Sequence, residues 1–445
     1  MQGIRFYSRG AVAIMFLLML IVLIGIVGLA IDTGRAYGVR AKLSHALDAA
    51  SLAAGRALAT GASDADRSSA AITAGTRYYN ANYPVGYMGS TLGPVSLTAV
   101  HNASGYWTVV ATGSATVPIT FLGALGVAGP TLVSASATSV RRDIDVMLVL
   151  DSSGSLAIPA STLPNLKTAA INNFVQHFAA GVGGDRVGVL TFASGALVSV
   201  PIDKTVSRGF NLANVTSAIN AVQAAGSTAQ AEGLRGALGE LDAIPVNLRS
   251  SLRVIAFFSD GAPNDVSAAF VRVPSNATVT GDLYSETGGP ATAQATRLYS
   301  NTALNTQTGT YSDIATLPTL GIGGIPLAGY NGLRTLSGNP VTNTQCNVNK
   351  AARNMAENVA NIARSEGVIV MTVGLGAALT TNELTYCGYG ASEYGANILN
   401  RFSNSSVSDT YNSSQPQGMY CYAADSTQLS TCFNLIADAV LRLTQ

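Results

Sequence analysis

The sequence predicts an α/β protein with an amino-terminal transmembrane helix, a small α+β region and a larger doubly wound domain. Three observations carry this. Residues 11–31, AVAIMFLLMLIVLIGIVGLAI, hold no charge and would form a helix of about 30 Å, enough to cross the apolar core of a bilayer. From Val146 onward, continuous apolar runs alternate with segments of helical spacing, the pattern of a parallel sheet covered on both faces. Two of those runs, VMLVL at 146–150 and VIAFF at 254–258, are followed closely by Asp151 and Asp260. Sheets of this kind bind ligands at the carboxyl ends of their strands.

Composition narrows the function classes. A chain of 445 residues exceeds one small core and points to two or three domains. The net charge is +1 and no Lys/Arg cluster appears, so nucleic acid is not an expected partner. Charged residues make up 11% and hydrophobic residues 48%, which suits a folded chain that is membrane-linked or extracytoplasmic. The three histidines, His45, His101 and His177, lie far apart in sequence. That argues against a His-based zinc site or a Ser-His-Asp triad.

The apolar run at 11–31 exceeds the core of about 7–15 residues typical of a cleaved signal peptide, despite the small-x-small stretch Gly28-Leu29-Ala30. An uncleaved anchor is expected. Charge leaves its orientation undecided, because Arg5, Arg9 and the amino terminus oppose Arg35, Arg40 and Lys42. Beyond the anchor, Leu43, Leu47, Ala50, Ala54 and Leu58 keep an i, i+4, i+7 spacing, so the helix is predicted to continue as an amphipathic stalk.

Residues 9–58, RGAVAIMFLLMLIVLIGIVGLAIDTGRAYGVRAKLSHALDAASLAAGRAL, resemble the amino-terminal segment of TadE/TadG-like Flp (tight-adherence) pilus-assembly proteins. The Arg-Gly before the span, Asp32 just after it and ALDAASLAA carry the likeness. It implies a single-pass protein of the bacterial inner membrane with its bulk in the periplasm, which also decides the orientation. Pilin-like members cleaved by a prepilin peptidase carry a Glu five residues after the cleaved Gly. Here Met15 stands at that distance from Gly10, so the anchor is expected to stay intact, with Met1 retained in the cytoplasm.

Residues 61–142 read as a small α+β unit. A helix is predicted around Ala65–Asn80, closed by Asn82-Tyr83-Pro84. Strands are predicted at Val95–Val100, Tyr106–Ala111, Ala115–Ile119 and Thr131–Val140, rich in Val and Thr. No chemical motif appears here, and a structural role is expected.

The last domain begins with the strand Val146–Leu150. Helices are predicted at Leu163–Phe178, Val215–Val222, Ala229–Leu241, Val348–Ser365 and Leu429–Leu443. A hairpin is predicted at Arg186–Phe192 and Ala196–Ile202, and strands at Val254–Phe258 and Val368–Gly374. Asp151 and Asp260 then emerge on one sheet edge. Asp151-x-Ser153-x-Ser155, Thr228 opening a helix, and Asp260 in FFSDGAPND resemble, in that order, the metal-ion-dependent adhesion site of von Willebrand factor A domains, a Rossmann-like fold. The likeness covers residues 143–265 and 348–443, including GVIVMTVGLG at 367–376. It implies Mg²⁺, with Mn²⁺ or Ca²⁺ as alternatives. The chemistry fits, since Mg²⁺ takes oxygen ligands in octahedral geometry and keeps several waters. Asp151 and Asp260 would hold the ion directly or through water, and the hydroxyls of Ser153, Ser155 and Thr228 supply neutral oxygens. An ion with so few direct carboxylates keeps an open position for an anionic ligand.

Residues 266–347 do not fit that family and read as an insertion leaving from the metal edge. It has few charges, many Thr, Asn and Gly, and four tyrosines (Tyr284, Tyr299, Tyr311, Tyr330). A ligand-facing role is expected, because long loops in compact domains are mostly functional or disordered. All four cysteines fall in the last hundred residues, suited to disulfides outside the cytosol. Topology favours Cys346–Cys387 and Cys421–Cys432 among three pairings. The predicted organisation is a cytoplasmic tail at 1–10, a transmembrane helix at 11–31, a pilin-like stalk and small α+β region at 32–142, and the A domain at 143–445.

The function these features imply is that of a non-enzymatic, membrane-anchored component of a Tad/Flp pilus assembly machine. Through its metal site it would grip a protein partner of that machinery, or a surface ligand that offers a carboxylate. The alternative is a pilin-like subunit or minor pilin whose A domain is a cap or adhesin tip. A metal-dependent hydrolase is disfavoured, because only Asp265 and Glu232 lie near enough in sequence to serve as a general base.

Overall fold

Apolar spacing along the first helix organises the amino-terminal part of the molecule. The computed structural model describes residues 9–59, 63–102, 106–124, 126, 129–286, 290–330, 332, 334–381, 387–389 and 393–443, so most of the tail predicted at 1–10 lies outside the described residues. Helix α1 (Arg9–Ala57) is unbroken. Among the described residues it is the one helix long and apolar enough to cross a membrane, and over its first half Phe16, Leu18 and Ile26 are exposed. Its second half changes character. Leu43, Leu47, Ala50, Ala54 and Leu58, the residues of the predicted stripe, are each 1% exposed or less. They pack against α2 (Asp64–Asn82) and a sheet of β1 (Thr91–Leu92), β2 (Ser96–Asn102), β3 (Tyr106–Val117) and β4 (Thr131–Arg142), with a one-turn helix α3 (Phe121–Ala124) before β4.

The two short strands predicted around Gly113 form one long strand, β3, which pairs with β1, β2 and β4. A Cβ at Gly113 would lie 2.8 Å from the Tyr79 hydroxyl oxygen. The glycine there admits a close packing contact and does not end the strand. These elements form one compact unit, and the chain from residue 142 onward forms the other.

The second unit is built on β5 (Ile144–Asp151), buried over its whole length. Its alternate residues serve two cores, as a period of two requires. Val146, Leu148 and Leu150 face one apolar layer with α4 (Thr162–Asn172), α5 (Leu212–Ala221) and, at the chain's end, α9 (Leu429–Leu443). Met147 and Val149 face the other, with α6 (Gln230–Asp242), α7 (Gln345–Ser365) and α8 (Gly395–Ser403). The remaining strands of this sheet are β6 (Arg186–Phe192), β7 (Ala196–Val200), β8 (Leu252–Ser259), β13 (Ile369–Leu375) and β14 (Tyr420–Ala423), ordered 14-13-8-5-6-7. All neighbours run parallel except β7, the returning arm of the predicted hairpin. Because the chain leaves β5 for β6 on one side and reaches β8 on the other, the switch point of the topology lies between β5 and β8.

The insertion carries more regular structure than its composition announced. A four-stranded antiparallel sheet, β9 (Asp265–Val271), β10 (Thr278–Tyr284), β11 (Arg297–Tyr299) and β12 (Gln307–Thr310), takes up its first half. Val266, Ala268, Phe270, Leu283 and Leu298 join the same apolar layer as α6 and α7. The insertion is therefore part of the domain's core. Cys346 is bonded to Cys387 and Cys421 to Cys432, with Cα atoms 5.3 and 5.5 Å apart. The second bridge ties β14 to α9, so the edge strand cannot separate from the helix that follows it.

Candidate metal centre

The switch point between β5 and β8 is where the candidate ligands meet. Asp151 is the last residue of β5 and Asp260 follows the last residue of β8, and both are buried. After Asp151 the chain turns sharply. The Ser153 backbone N–H donates to Asp151 Oδ1 at 2.7 Å, and Gly154 N–H donates to the Gly226 carbonyl at 3.0 Å. This turn carries the two serine hydroxyls toward β8. Ser155 Oγ donates to Asp260 Oδ1 at 2.9 Å, Ser153 Oγ reaches the same oxygen at 3.4 Å, and the two hydroxyls are 3.0 Å apart. Thr228 stands two residues before α6, its backbone N–H fixed by Asn264 Oδ1 at 2.8 Å. Ser153, Ser155, Thr228 and Asp260 line one cleft of about 470 Å³. Asp151 is joined to it through Ser153 and Ser259.

The electrostatics of this cluster ask for a cation. Burial first, and then the neighbouring charge of Asp260, raises the Asp151 carboxyl above the ordinary range. Burial likewise raises Asp260, against the pull of the Ser155 and Ser153 hydroxyls. Among the described residues neither aspartate has a Lys or Arg ion-pair partner. No group of three His, Cys, Asp or Glu able to hold a metal occurs among them either. The donor set here is two carboxylates and three hydroxyls. Hard neutral oxygens beside two unneutralised carboxylates fit Mg²⁺ and provide nothing soft for a thiophilic metal. Ser153, Ser155, Thr228, Asp151 and Asp260 are the residues that would hold it.

Sequence reading missed the side chains that brace these five. Ser259 Oγ donates to Asp151 Oδ2 at 2.5 Å and accepts from Gln230 Nε2 at 2.9 Å, so Gln230 and Ser259 form a buried relay that orients Asp151. Gly226 has φ +89°, and a Cβ there would meet Ser194 Oγ at 2.7 Å. Only glycine lets the Thr228 loop pass at that distance. Ser194 in turn bonds Asn305 of the insertion at 3.1 Å and receives Ser227 N–H at 3.0 Å. The signals for Ser259 and Asn264 were adjacent to the aspartate in SDGAPN, but nothing in the sequence distinguishes a bracing hydroxyl from a solvated one. Of the four insertion tyrosines, Tyr284 lines the cleft, with the Arg297 guanidinium over its ring at 4.8 Å and Tyr299 edge-on at 6.3 Å.

Asp265 and Glu232, the sequence's only nearby candidates for a general base, are each 1% exposed and do not line the cleft. They belong to a second set of buried acids with Asp282, which faces Ser267 across β9 and β10. Burial pushes Asp265 up to about 7, with Ser227 and the Thr228 backbone opposing. Burial and then the Glu232 charge raise Asp282 well above its ordinary value. The folded chain therefore binds more protons here than the unfolded chain, whose aspartates titrate near pH 4. The stability that the Asp265 carboxyl contributes is complete below about pH 4 and is lost as pH rises through about 7, and Asp282 adds a loss in the same direction. Asp282→Asn should flatten that decline and raise stability at about pH 8, because burial raises the Asp282 carboxyl well above its ordinary value. Thermal unfolding of the full chain in detergent and EDTA, followed by circular dichroism, measures it. Parallel curves for mutant and wild type would contradict the prediction.

Comparison with known proteins gives two family matches. Residues 10–57 match the model for putative Flp pilus-assembly TadE/G-like proteins, and residues 146–262 match the von Willebrand factor type A domain. No curated protein matches the chain. Among solved structures, the chain is similar to the vWF domain of the type V pili tip protein Mfa5 from Porphyromonas gingivalis, at 14% identity over 69% of this chain and 98% of that one, with TM-score 0.38. It is similar to the PilB minor pilin from Streptococcus sanguinis at 12% identity over 81% and 80%, with TM-score 0.40. A third is proximal thread matrix protein 1 from the mussel byssus with a zinc-occupied MIDAS motif, at 15% identity over 68% of this chain and 46% of that one, with TM-score 0.35. The chain joins a TadE/G-like amino-terminal segment to a von Willebrand factor type A domain.

Proposed function

We propose that this protein is a membrane-anchored, non-enzymatic component of a Tad/Flp pilus machine that grips a partner through a divalent cation. One observation carries the reading. Three hydroxyls and the Asp260 carboxylate from three separate segments line one cleft with buried Asp151 directly behind it, and among the described residues no cationic side chain pairs with either aspartate. Mg²⁺ at this place would present an open coordination position to a carboxylate of the partner, either a pilus protein or a surface ligand. Tyr284 and Arg297, both supplied by the insertion, would border that ligand and give it a second contact. The TadE/G-like segment and the exposed apolar half of α1 support a single-pass anchor in the bacterial inner membrane, with the A domain in the periplasm. Among the described residues the cleft lining holds no His, and its one carboxylate, Asp260, would hold the cation, which supports binding over hydrolysis.

The test is retention of envelope proteins by the immobilised full-length chain in detergent. Partner retention is expected in Mg²⁺, lost in EDTA and restored when Mg²⁺ is added back. Equal retention in all three buffers would overturn the cation-dependent reading.

A further inference from the structure

The connection between β3 and β4 and the first two residues of β4 read PITFLGALGVAGPTL at 118–132 and contain no charged residue. Links between surface strands are normally polar, since they face water. Here Phe121 is 41% exposed and Leu132 is 66% exposed, so the core of the unit does not account for them.

Three contacts hold the start of this segment against α1. The Asp32 carboxylate accepts backbone N–H groups of Thr120 at 3.2 Å, Phe121 at 3.1 Å and Leu122 at 2.9 Å. The Arg35 guanidinium donates to the Thr120 hydroxyl and to the Met88 carbonyl. At Gly28 an added Cβ would lie 2.7 Å from the Phe121 Cβ. Gly28 belongs to the uncharged run that ends at Ile31. At 1.5 Å per residue, Phe121 thus meets α1 about 5 Å inside the end of the apolar span. Its neighbours on the helix at that level, Val27, Leu29 and Ile31, are all exposed. Phe121 extends this band sideways without interruption.

Chain that leaves a regular helix can enter hydrocarbon only if its backbone groups find partners. Asp32 supplies them where the connection begins, at Thr120, Phe121 and Leu122. It stands directly after the span, is 7% exposed, and takes up the three N–H groups that open the one-turn helix α3. A carboxylate at a membrane margin is costly unless it is paired in this way.

We propose that Phe121 and Leu122, which open the β3–β4 connection, and Leu132 at the start of β4 insert into the acyl region of the leaflet nearest the folded unit, as a second membrane contact beside α1. The proposal rests on reading α1 as a membrane span. Two contacts fix the depth and rotation of α1, which an isolated helix would leave to tilt freely.

Among the described residues every cysteine is in a disulfide, so one added cysteine gives a single labelling position. Full-length Phe121→Cys, carrying an environment-sensitive fluorophore, is reconstituted in phosphatidylcholine–phosphatidylglycerol vesicles. Some of the lipids carry a nitroxide near the top of the acyl chain. Ile21→Cys, in the middle of the span, and Val100→Cys, an exposed position in the same unit near the far end of α1, are measured alongside. Lipid quenching at position 121 is expected to approach that at 21 and to exceed that at 100 severalfold. Quenching at 21 but not at 121 would overturn the insertion and leave the span standing. Shielding of position 121 from aqueous iodide without lipid quenching would also overturn it, since a protein would then cover the segment. Absence of lipid quenching at both 21 and 121 would overturn the span itself.

Discussion

Asp151→Ala is expected to abolish divalent-cation binding and, with it, partner retention. The substitution removes a charged oxygen at the one place where β5 delivers it, and three hydroxyls with a single carboxylate remain. A lost charge-assisted ligand of roughly 3 kcal/mol corresponds to about a hundredfold in affinity. Ser259 Oγ and the Ser153 N–H lose their acceptor, which costs stability. The same change ends the repulsion between two buried carboxylates, so the two effects oppose and the fold should persist. Thr228→Ala deletes one neutral ligand that water replaces, and should weaken cation binding by only about fivefold, near 1 kcal/mol. Calorimetric titration of the full chain with Mg²⁺ checks both, with EDTA-treated wild type imitating Asp151→Ala. If Asp151→Ala protein holds its partner normally, the site has no part in binding, and the A domain becomes a structural cap.

What made this site legible was the coincidence of two periodicities with a few polar residues. The apolar runs of β5 and β8 are long enough to identify central strands, and each is followed by an aspartate where parallel strands must share an edge. The stalk was legible for the same reason, since Leu43 to Leu58 repeat at helical spacing and all are buried. The insertion was not. Its strands β11 and β12 are three and four residues long and rich in Thr, Gly and Gln, too short to establish a period. Helix α8 was missed because Gly395, Asn397 and Asn400 weaken its propensity, although Ile398, Leu399 and Phe402 bury one face. Buried arginines were least visible of all, because charged residues read as surface until partners from remote segments are seen.

Those arginines set the other large effect. Glu357→Ala should destabilise the second unit by about 3–5 kcal/mol, the usual cost of removing one partner of a buried ion pair. Glu357 lies on α7 at 1% exposure and accepts from Arg334 at 2.6 Å and Arg401 at 3.1 Å. Burial alone would raise its carboxyl, yet the two guanidinium groups hold it below the ordinary value. Arg334 also pairs with Glu393 at 2.5 Å, and Arg401 with Asp409 at 2.7 Å. Alanine at 357 leaves both arginines buried with one acceptor fewer, whereas Glu357→Gln keeps an oxygen in place and should cost less. Urea unfolding by far-ultraviolet circular dichroism measures the loss. Fluorescence of Trp107, the single tryptophan, reports the other unit and should keep its own transition unchanged. A dichroism midpoint unmoved by Glu357→Ala would contradict the prediction. The effect should also reach the metal cleft. Arg334 belongs to the insertion, and Glu357 joins it to α7 and, through Arg401, to α8. The same insertion carries Tyr284 to the cleft and Asn305 to the Ser194 brace. Glu357→Ala protein that remains folded should therefore bind its partner less tightly than wild type, with a smaller loss of Mg²⁺ affinity. The five proposed ligands all lie outside the loosened segment, and only the Thr228 loop is braced by it.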